Sequence, residues 1–352
     1  MKILRIYIRL PPLMGGMERH IEQLTIEQIK LGHEVTVFFN GGEKVTPKDV
    51  KIAYFSLYKL KPRFLGALFF HFLILLRLIV TRPRFDVIHV HGDWSTLVFL
   101  KLFKRVTNAR KSVLTVHDEL RDGVFYRKVF TILSAHVDVI FSTGFAAAQQ
   151  INQFYQKGVV VQPSGVNDLF FEPFTRQFST DSFQVITVAN LVPKKNINLV
   201  LDLSKNMPKV NFVIVGDGPE REFLLKKINN DNLFNVSLLG RKSPQEVRRL
   251  YQLSDAFLLT STQEGTPTSI LEAMACGLPI LTTDAGGISA AINDKNFITK
   301  SKDKNEFVKQ LNLLLNDKNL LESISNENVK QSRDFRWSLV AKKYDDVFLE
   351  ED

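Results

Sequence analysis

Short apolar, β-rich runs alternate with helical stretches along this chain, in two series that an irregular segment separates. Such alternation predicts right-handed βαβ units, in which parallel strands are covered by helices on both faces. The irregular segment, residues 162–182, contains two prolines, a glycine and several phenylalanines without clear periodicity, so we predict that residues 166–182 link two domains. The predicted strands are Ile3–Ile8, Glu34–Phe39, Val87–Val90, Val113–Val116, Val137–Ser142, Val159–Val161, Gln184–Ala189, Asn211–Val215, Val236–Leu239, Ala256–Thr260 and Pro279–Thr282.

The length of the chain supports a two-domain arrangement. At 352 residues it is too long for one ordinary core and suits two domains of about 150 residues each. We therefore predict an α/β fold with two Rossmann-like, doubly wound domains, at residues 1–165 and 183–334, and a cleft between them. In such sheets, ligands bind beyond the carboxyl ends of the strands.

The amino-acid composition indicates a globular protein without intrachain disulfides. Apolar residues make up 45% of the chain and charged residues 24%, which is an ordinary balance for a globular protein. The single cysteine, Cys276, excludes an intrachain disulfide and a zinc site built from several cysteines. Because this usage fits a reducing compartment, we expect a cytoplasmic protein.

Charge is divided unevenly between the two predicted domains. Residues 1–165 carry 23 Lys/Arg and 12 Asp/Glu, a net charge of +11, whereas residues 166–352 carry 23 and 25, a net charge of −2. The imbalance indicates an anionic partner for the first domain. No nucleic-acid motif accompanies these charges, so nucleic acid is not expected. We favour an anionic membrane surface, on the inner face of the membrane, with an anionic acceptor as the alternative.

One apolar segment, Phe64–Val80, bears on the membrane question. Its 17 residues include His71 and Arg77, and a spanning helix usually needs about 20 apolar residues. We interpret it first as a helix packed on the parallel sheet. The alternative, a helix that also lies in the membrane interface, is supported by flanking basic residues. These residues are Lys59, Lys61, Arg63, Arg82 and Arg84.

The most informative stretch is residues 261–279, which follows a predicted strand and opens a predicted helix. It carries two carboxylates, Glu264 and Glu272, with seven residues between them. The free backbone N–H groups at a helix start, together with the helix dipole, form an anion site. Glu272 can accept two hydroxyl hydrogen bonds, as from a ribose diol. The alternative interpretation is a capped helix with an incidental glutamate.

Other stretches at strand ends add to this pattern. Two glycines follow the first strand, and two more follow a strand of the second series; glycine permits close backbone approach to a ligand. Val113–Val116 leads directly into His117, which the spacing places just past the strand end. The alternative for His117 is a buried histidine bonded to backbone. The stretches are Gly15-Gly16-Met17-Glu18-Arg19-His20, Ala189-Asn190-Leu191-Val192-Pro193-Lys194-Lys195-Asn196, Val215-Gly216-Asp217-Gly218-Pro219 and Leu238-Leu239-Gly240-Arg241.

In this order and spacing, these motifs resemble those of glycosyltransferase family 4, retaining enzymes of the GT-B fold, over nearly the full length of the chain. The resemblance implies that residues 1–165 bind the acceptor, that residues 183–334 bind a nucleotide-sugar donor, and that the helix at residues 335–352 packs back on the first domain. It implies catalytic residues at His117, Glu264 and Lys195; donor-binding residues at Gly16, Asn190, Lys194, Gly216, Gly218, Arg241, Gly265, Thr266, Pro267, Thr268, Ser269 and Glu272; and acceptor-binding residues at Gly15, Arg19 and His91.

Some positions carry open alternatives. Asn190 stands where the family has an arginine, so the donor diphosphate loses one cation unless Lys194 replaces it. Arg19 or His20 could contact an anionic acceptor, but we interpret both first as first-turn residues exposed to solvent. The chain has no Asp-x-Asp, Walker loop or zinc-ligand spacing, so we expect neither a metal nor another cofactor.

The predicted function is transfer of a sugar from a nucleoside-diphosphate-sugar to the hydroxyl of a glycan or lipid-linked acceptor in surface-glycan assembly, with retention of configuration. A nucleotide-sugar-binding partner protein with weak catalysis, part of a glycan-assembly complex, is the alternative, because of Asn190. An epimerase or phosphorylase of the same fold is not supported, because this chain has no cofactor-lysine signature.

Overall fold

The computed structural model of the protein describes residues 1–12, 16–53, 55–92, 94–120, 123–174, 182–292, 296–299 and 303–350. The chain divides into two compact units. The first unit comprises Met1–Gly165 and Trp337–Asp352, and the second comprises Val166–Arg336.

A parallel sheet forms the centre of the first unit. Its strand order is β3-β2-β1-β4-β5-β6-β7, so the direction of winding reverses between β1 and β4. The strands are β1 (Lys2–Ile6), β2 (Glu34–Phe39), β3 (Val50–Lys51), β4 (Val87–His91), β5 (Lys111–Val116), β6 (Val139–Ser142) and β7 (Val159–Val161). The helices that cover it are α1 (Gly16–Lys30), α2 (Arg63–Thr81), α3 (Leu100–Thr107), α4 (Val124–Ser134) and α5 (Phe145–Asn152). Strands β4 and β5 are buried along their whole length, as expected for strands covered on both faces.

The second unit repeats the plan with strand order β10-β9-β8-β11-β12-β13, again parallel throughout. Its strands are β8 (Phe183–Val188), β9 (Val210–Val215), β10 (Val236–Leu238), β11 (Ala256–Leu259), β12 (Ile280–Thr283) and β13 (Phe297–Thr299). Its helices are α6 (Ile197–Asn206), α7 (Arg221–Asn230), α8 (Pro244–Gln252), α9 (Thr268–Ala275), α10 (Lys304–Asn316) and α11 (Lys318–Ser332). The predicted α/β class with two Rossmann-like sheets is confirmed.

The last helix, α12 (Trp337–Leu349), belongs to the first unit. Tyr344 stacks on Phe141 of β6 with ring centroids 4.1 Å apart, and Asp345 accepts a hydrogen bond of 2.6 Å from Gln28 Nε2 of α1. A Cβ on Gly165 would collide with the Trp337 indole, so the chain leaves and re-enters this unit at a close contact. The helix begins at Trp337, two residues after the start expected from the sequence.

The start of the predicted linker is part of the second unit. Val166 N–H donates to the carbonyl of Phe335 at 2.7 Å, and the 3₁₀ turn Asp168–Phe171 packs on α8 and α9. The linker prediction is therefore wrong for residues 166–174, because an aperiodic segment can still be held by tertiary contacts; residues 175–181 lie outside the described part of the chain. Strands β3 and β13 were also not predicted, since two or three residues are too few to show a period.

Candidate functional site

The carboxylate loop of the second unit lies between the end of β11 and the start of α9. Glu264, 7% exposed, forms an ion pair through Oε1 with Lys195 Nζ, from the turn that precedes α6. The two residues are 69 positions apart in the chain, yet the parallel strands β8 and β11 are neighbours and end at the same edge. This pairing therefore brings a cation and a carboxylate together where ligands of such sheets bind.

The start of α9 lies beside this ion pair. The cap position is occupied by Pro267, whose side chain has no acceptor atom and therefore cannot cap the N–H groups of the first turn. The N–H groups of Thr268 and Ser269 precede the intrahelical ladder, so they remain available to an anion. Thr266 Oγ1 is buried without a hydrogen-bond partner among the described residues. Gly265, Thr266, Thr268 and Ser269 are partly exposed, whereas Pro267 is buried.

Glu272 lies one turn into α9 and is partly exposed. Its Oε2 is 3.5 Å from the hydroxyl of Tyr251, which is fully buried and also donates to the carbonyl of Ser269 at 3.3 Å. Burial and the neighbouring Glu272 raise the pKa of Tyr251 well above its usual value, so the phenol keeps its proton. Tyr251 therefore holds this carboxylate in place, a role that sequence reasoning missed because α8 carries no motif.

Three glycines allow backbone segments to approach closely around this loop. A Cβ on Gly216 would collide with the carbonyl of Ala189, and one on Gly218 with the carbonyl of Leu191. Gly286 has a φ of +71°, and a Cβ there would collide with the carbonyl of Glu264. Gly216 and Gly218 thus lie in close backbone contact with the Asn190 turn, and their predicted role in donor binding stays a prediction. Gly286, which was not among the predicted site residues, positions the Glu264 loop.

Three other donor-binding candidates of the second unit are exposed to solvent: Asn190, Lys194 and Arg241. Lys194 lies next to Lys195 in the 3₁₀ turn, and its carbonyl accepts the N–H of Thr262 at 2.7 Å. Asn190 follows β8 by two residues, and Arg241 follows β10 by three, so all lie beyond the carboxyl edge of the sheet.

A histidine cluster lies at the carboxyl edge of the first sheet. His91 ends β4 and His117 follows β5, and these strands are paired. His91 Nδ1 lies 3.1 Å from His117 Nε2, and the third member, His20 of α1, packs edge-on against His117 with ring centroids 4.8 Å apart. Burial lowers the pKa of His117 to about 3 and the pKa values of His20 and His91 well below their usual range. All three imidazoles are therefore neutral at physiological pH.

Ligand nitrogens of these three histidines lie within 4.8 Å of one another, a geometry that could hold a metal ion. Sequence spacing did not reveal it, since the three residues come from separate elements. Hydrogen bonds already occupy the cluster: His91 contacts His117, and His20 Nδ1 lies 2.8 Å from Ser164 Oγ. His20 is 1% exposed, so the interpretation of it as a solvated first-turn residue is wrong; helix α1 turns it inward.

The loop before α1 carries the remaining candidates. Gly16 and Arg19 are exposed, and Gly15 lies outside the described residues. Glu18 is buried and forms an ion pair of 2.7 Å with Arg9. The exposed Arg19 is consistent with either of its two interpretations.

A cavity of about 410 Å³ adjoins the histidine cluster within the first unit. It lies between α2, α4 and the 3₁₀ turn Trp94–Thr96. His91 and His117 line it, together with Trp94 and Tyr126, whose rings pack edge-on with centroids 5.8 Å apart. This volume lies within the range of about 300–1,000 Å³ that is typical of small-molecule pockets.

Helix α2 forms one wall of the cavity and has a second, exposed face. Its inner residues Phe70, Ile74 and Leu78 are buried in the core of the unit. Its outer face shows large apolar side chains to solvent, at Phe64, Leu65, Phe69, Phe72, Leu76, Ile79 and Val80. Among the described residues, the window Phe64–Thr81 is long and apolar enough to cross a membrane by length and composition, with 28% of it buried. Because the inner face packs on the sheet, we interpret α2 as a core helix with an apolar outer surface.

Two family models match the chain, "Glycosyltransferase Family 4" over residues 14–168 and "Glycosyl transferases group 1" over residues 170–331. The chain belongs to the family 4 glycosyltransferases. The two matches meet between residues 168 and 170, close to the boundary between the structural units.

Relatives of this glycosyltransferase include a subunit of the phosphatidylinositol N-acetylglucosaminyltransferase of Homo sapiens, 29% identical over 306 residues. The match covers 82% of this chain and 63% of the human protein, so the chain spans less than two thirds of that relative's length. Amylovoran biosynthesis glycosyltransferase AmsD of Erwinia amylovora is 25% identical over 95% of both chains. Among solved structures, Anabaena HepE in complex with UDP and glucose matches with a TM-score of 0.77, 18% identity and 99% coverage of both chains. These likenesses show the GT-B fold of this glycosyltransferase.

Proposed function

We propose that this glycosyltransferase moves a sugar from a nucleoside-diphosphate-sugar to the hydroxyl of a lipid-linked acceptor, with retention of configuration and without a metal. The observation that carries the proposal is the ion pair between Lys195 and Glu264 at the free start of α9. It assembles, at one edge of the second sheet, a cation for a diphosphate and a carboxylate for sugar hydroxyls.

The donor site follows from the chemistry of these groups. Lys195 Nζ and the N–H groups of Thr268 and Ser269 would bind the diphosphate, and Glu272, held by Tyr251, would accept hydrogen bonds from the ribose. Glu264 would bind the hydroxyls of the donor sugar, as the family resemblance implies. Each hydrogen bond to a charged group contributes about 1.5–3 kcal/mol, so this set is sufficient for specific binding.

The reaction breaks the bond between the anomeric carbon and the diphosphate oxygen and forms one between that carbon and the acceptor oxygen. Negative charge develops on the leaving diphosphate, where Lys195 and the helix start would stabilise it. These protein groups would supply the electrostatic role that a metal ion has in other transferases, which supports a metal-free mechanism. The acceptor proton would leave with the diphosphate, and neutral His117 would orient the sugar.

The first unit supports an acceptor held at a membrane. The outer face of α2 is apolar, and the exposed Lys59, Lys61, Arg82 and Arg84 flank the helix. Helix α2 contains no acidic residue. The name of the human relative includes a lipid, phosphatidylinositol. We therefore propose a lipid acceptor presented by an anionic membrane, with the protein bound peripherally on the cytoplasmic side.

A panel of UDP-, GDP- and ADP-sugars tests the donor site by thermal shift. One class should raise the melting temperature, because a ligand that binds only the folded state stabilises it by mass action. The Lys195→Ala variant should lose the shift. Glu222→Ala, an exposed position on α7, serves as the matched control and should keep it. If no sugar nucleotide shifts the wild-type protein, the proposed donor site is wrong.

Asn190 favours a second candidate, a partner protein that binds nucleotide-sugar but transfers slowly. The exposed Asn190 supplies no cation beyond the end of β8, where the family has an arginine. Turnover of the purified protein with donor and acceptor separates the two. If transfer is slow in the wild type and Asn190→Arg raises it at least about tenfold, which corresponds to roughly 1.4 kcal/mol, the second candidate is the better description.

A further inference from the structure

Three histidines from separate elements of the first unit bring their ligand nitrogens together. One nitrogen each from His20, His91 and His117 lies within 4.8 Å of the other two. In one pair, His91 Nδ1 and His117 Nε2 are 3.1 Å apart. Two nitrogens bound to one tetrahedral Zn²⁺ at about 2.0–2.1 Å are separated by roughly 3.3–3.4 Å. This pair therefore has nearly the spacing that a metal site requires.

A metal ion can replace the hydrogen bond between His91 and His117. Two neutral imidazoles share one proton there, so one nitrogen donates and the other accepts. His91 Nε2 is buried and has no hydrogen-bond partner among the described residues. With the proton of His91 on Nε2 and that of His117 on Nδ1, both facing nitrogens present lone pairs, and His91 loses no other hydrogen bond.

His20 completes the set of ligands. Its Nδ1 lies 2.8 Å from Ser164 Oγ, and a metal-bound histidine usually donates its other ring N–H to an oxygen in this way. Nε2 then carries the lone pair, since its contact with the Tyr344 hydroxyl is long at 3.5 Å. His20 is 1% exposed on α1, so packing and Ser164 hold its ring in place before a metal ion binds.

A metal ion can reach the cluster, because His91 and His117 line the cavity of the first unit. The three imidazoles are neutral, which is the form that binds a metal ion. Burial lowers the pKa values of His20 and His91, and neighbouring histidines and the buried Arg5 add to this effect. The charge of Arg5 also opposes a bound cation, so we expect reversible binding and not a permanent structural site.

We propose that His20, His91 and His117 form a site for one divalent transition-metal ion such as Zn²⁺, and that its occupancy inhibits sugar transfer. Three histidine ligands leave a fourth position for water. Imidazole suits Zn²⁺, whereas Mg²⁺ prefers oxygen ligands and should not bind. The inhibition rests on the proposed function, because a metal ion on His117 stops this residue from orienting the donor sugar. Metal binding itself does not rest on it.

Titration calorimetry tests the site on protein prepared without a histidine-containing tag. We expect the wild type to bind one Zn²⁺ per chain and no Mg²⁺. His20→Asn should weaken Zn²⁺ binding about 100-fold or more, and Ser164→Ala about tenfold, since loss of an outer-shell partner alone costs about 10–100-fold. His136→Asn, at an exposed histidine of the same unit, is the matched control and should bind as the wild type does.

Co²⁺ provides a second measurement, because it binds the same kinds of ligand as Zn²⁺. Its visible absorption distinguishes four-coordinate from six-coordinate geometry. The wild type and His136→Asn should give the stronger, four-coordinate spectrum, and His20→Asn should not.

The inference is overturned if the wild type binds no Zn²⁺, or if folded His20→Asn binds it as tightly as the wild type. Should His20→Asn not fold, wild-type affinity in Ser164→Ala has the same meaning.

Sugar transfer measured with increasing Zn²⁺ tests the inhibition. Relative to its own activity without metal, His20→Asn should need at least about tenfold more Zn²⁺ for half-inhibition than the wild type. Equal sensitivity would overturn the inhibitory role. Absence of transfer in the metal-free wild type would contradict the proposed function alone, because calorimetry measures the metal site without catalysis.

Discussion

His91 Nδ1 lies 3.1 Å from His117 Nε2, so each of these imidazoles determines which nitrogen of the other carries the proton. Burial lowers the pKa of both, which keeps them neutral at physiological pH. A neutral, oriented imidazole suits a positioning role better than that of an acid or a counter-ion.

His117→Ala should lower turnover about 100-fold or more, because removal of one preorganised hydrogen-bonding group typically has this effect. The donor Kd should change less than threefold, because no donor-binding motif lies in β5 or the residues after it. Steady-state kinetics and calorimetry measure the two quantities. His136→Ala, at an exposed histidine of the same unit, is the control. Near-normal turnover of His117→Ala would return this residue to a structural role.

The histidine cluster should make the first unit sensitive to acid. The pKa of His117 is about 3 in the folded protein, against about 6.5 when unfolded, and the pKa values of His20, His89 and His91 are lowered as well. Between these values the unfolded chain binds more protons than the folded one, so the free energy of unfolding rises with pH. The contribution of these histidines to stability is therefore lost as the pH falls below about 6.5. Each group contributes at most about 1.4 kcal/mol per pH unit.

Denaturant unfolding at several pH values between about 7.5 and about 4.5 measures the effect, because this range spans the histidine pKa of about 6.5 in the unfolded chain. Both tryptophans lie in the first unit, so their fluorescence follows this unit specifically. His91→Asn should flatten the slope, and His136→Asn should leave it as in the wild type. Equal slopes in all three proteins would show that the cluster is not the source.

Glu272→Ala should weaken binding of the nucleotide-sugar by about 1.5–3 kcal/mol, or roughly tenfold to 150-fold, by removing charge-assisted hydrogen bonds to the ribose. Tyr251→Phe should weaken it less, since it only releases the carboxylate that Tyr251 contacts at 3.5 Å. Calorimetry with the donor found by thermal shift measures both, with Glu222→Ala as control. Unchanged affinity in Glu272→Ala would remove the proposed ribose contact.

Transfer should continue in excess EDTA, because Lys195 and the start of α9 would neutralise the leaving diphosphate. Product formation is followed with and without chelator, and the anomeric configuration of the product is read by NMR in the same samples. Activity that vanishes with EDTA and returns with Mn²⁺ or Mg²⁺ would contradict the metal-free mechanism. An inverted anomer would contradict retention.

The protein should sediment with anionic vesicles and less with neutral ones. Basic residues near an anionic surface contribute about 1 kcal/mol each, so three or four suffice for peripheral binding, and high salt should weaken it. Replacing the exposed Phe72 and Leu76 of α2 by serine should reduce binding at least threefold. Ser substitutions at the exposed Phe223 and Phe234 of the second unit are the matched control. Absence of binding to any vesicle would contradict the membrane proposal.

Much of the fold could be predicted because its signals are local. The apolar runs that became β4, β5 and most other strands are buried on both faces, so they stand out without knowledge of their neighbours. Glu264 and Glu272 flank one strand-to-helix junction, and a junction of this kind is determined by the residues within it. Helix α2 was visible for the same reason, within one residue at each end.

Tertiary structure decided what depends on residues far apart in the chain. The pairing of Lys195 with Glu264 needs the adjacency of β8 and β11, and the cluster of His20, His91 and His117 needs α1 to turn inward over β4 and β5. The return of α12 to the first unit and the docking of residues 166–174 on the second likewise rest on contacts between distant segments. Most strands and helices, and the chemistry at their ends, could be predicted from local patterns, because hydrophobic period and helix starts are local properties. Packing selects which strand and helix ends lie together. The free energy gained by burying apolar surface depends on the whole arrangement of elements and cannot be assigned to a single position in the sequence.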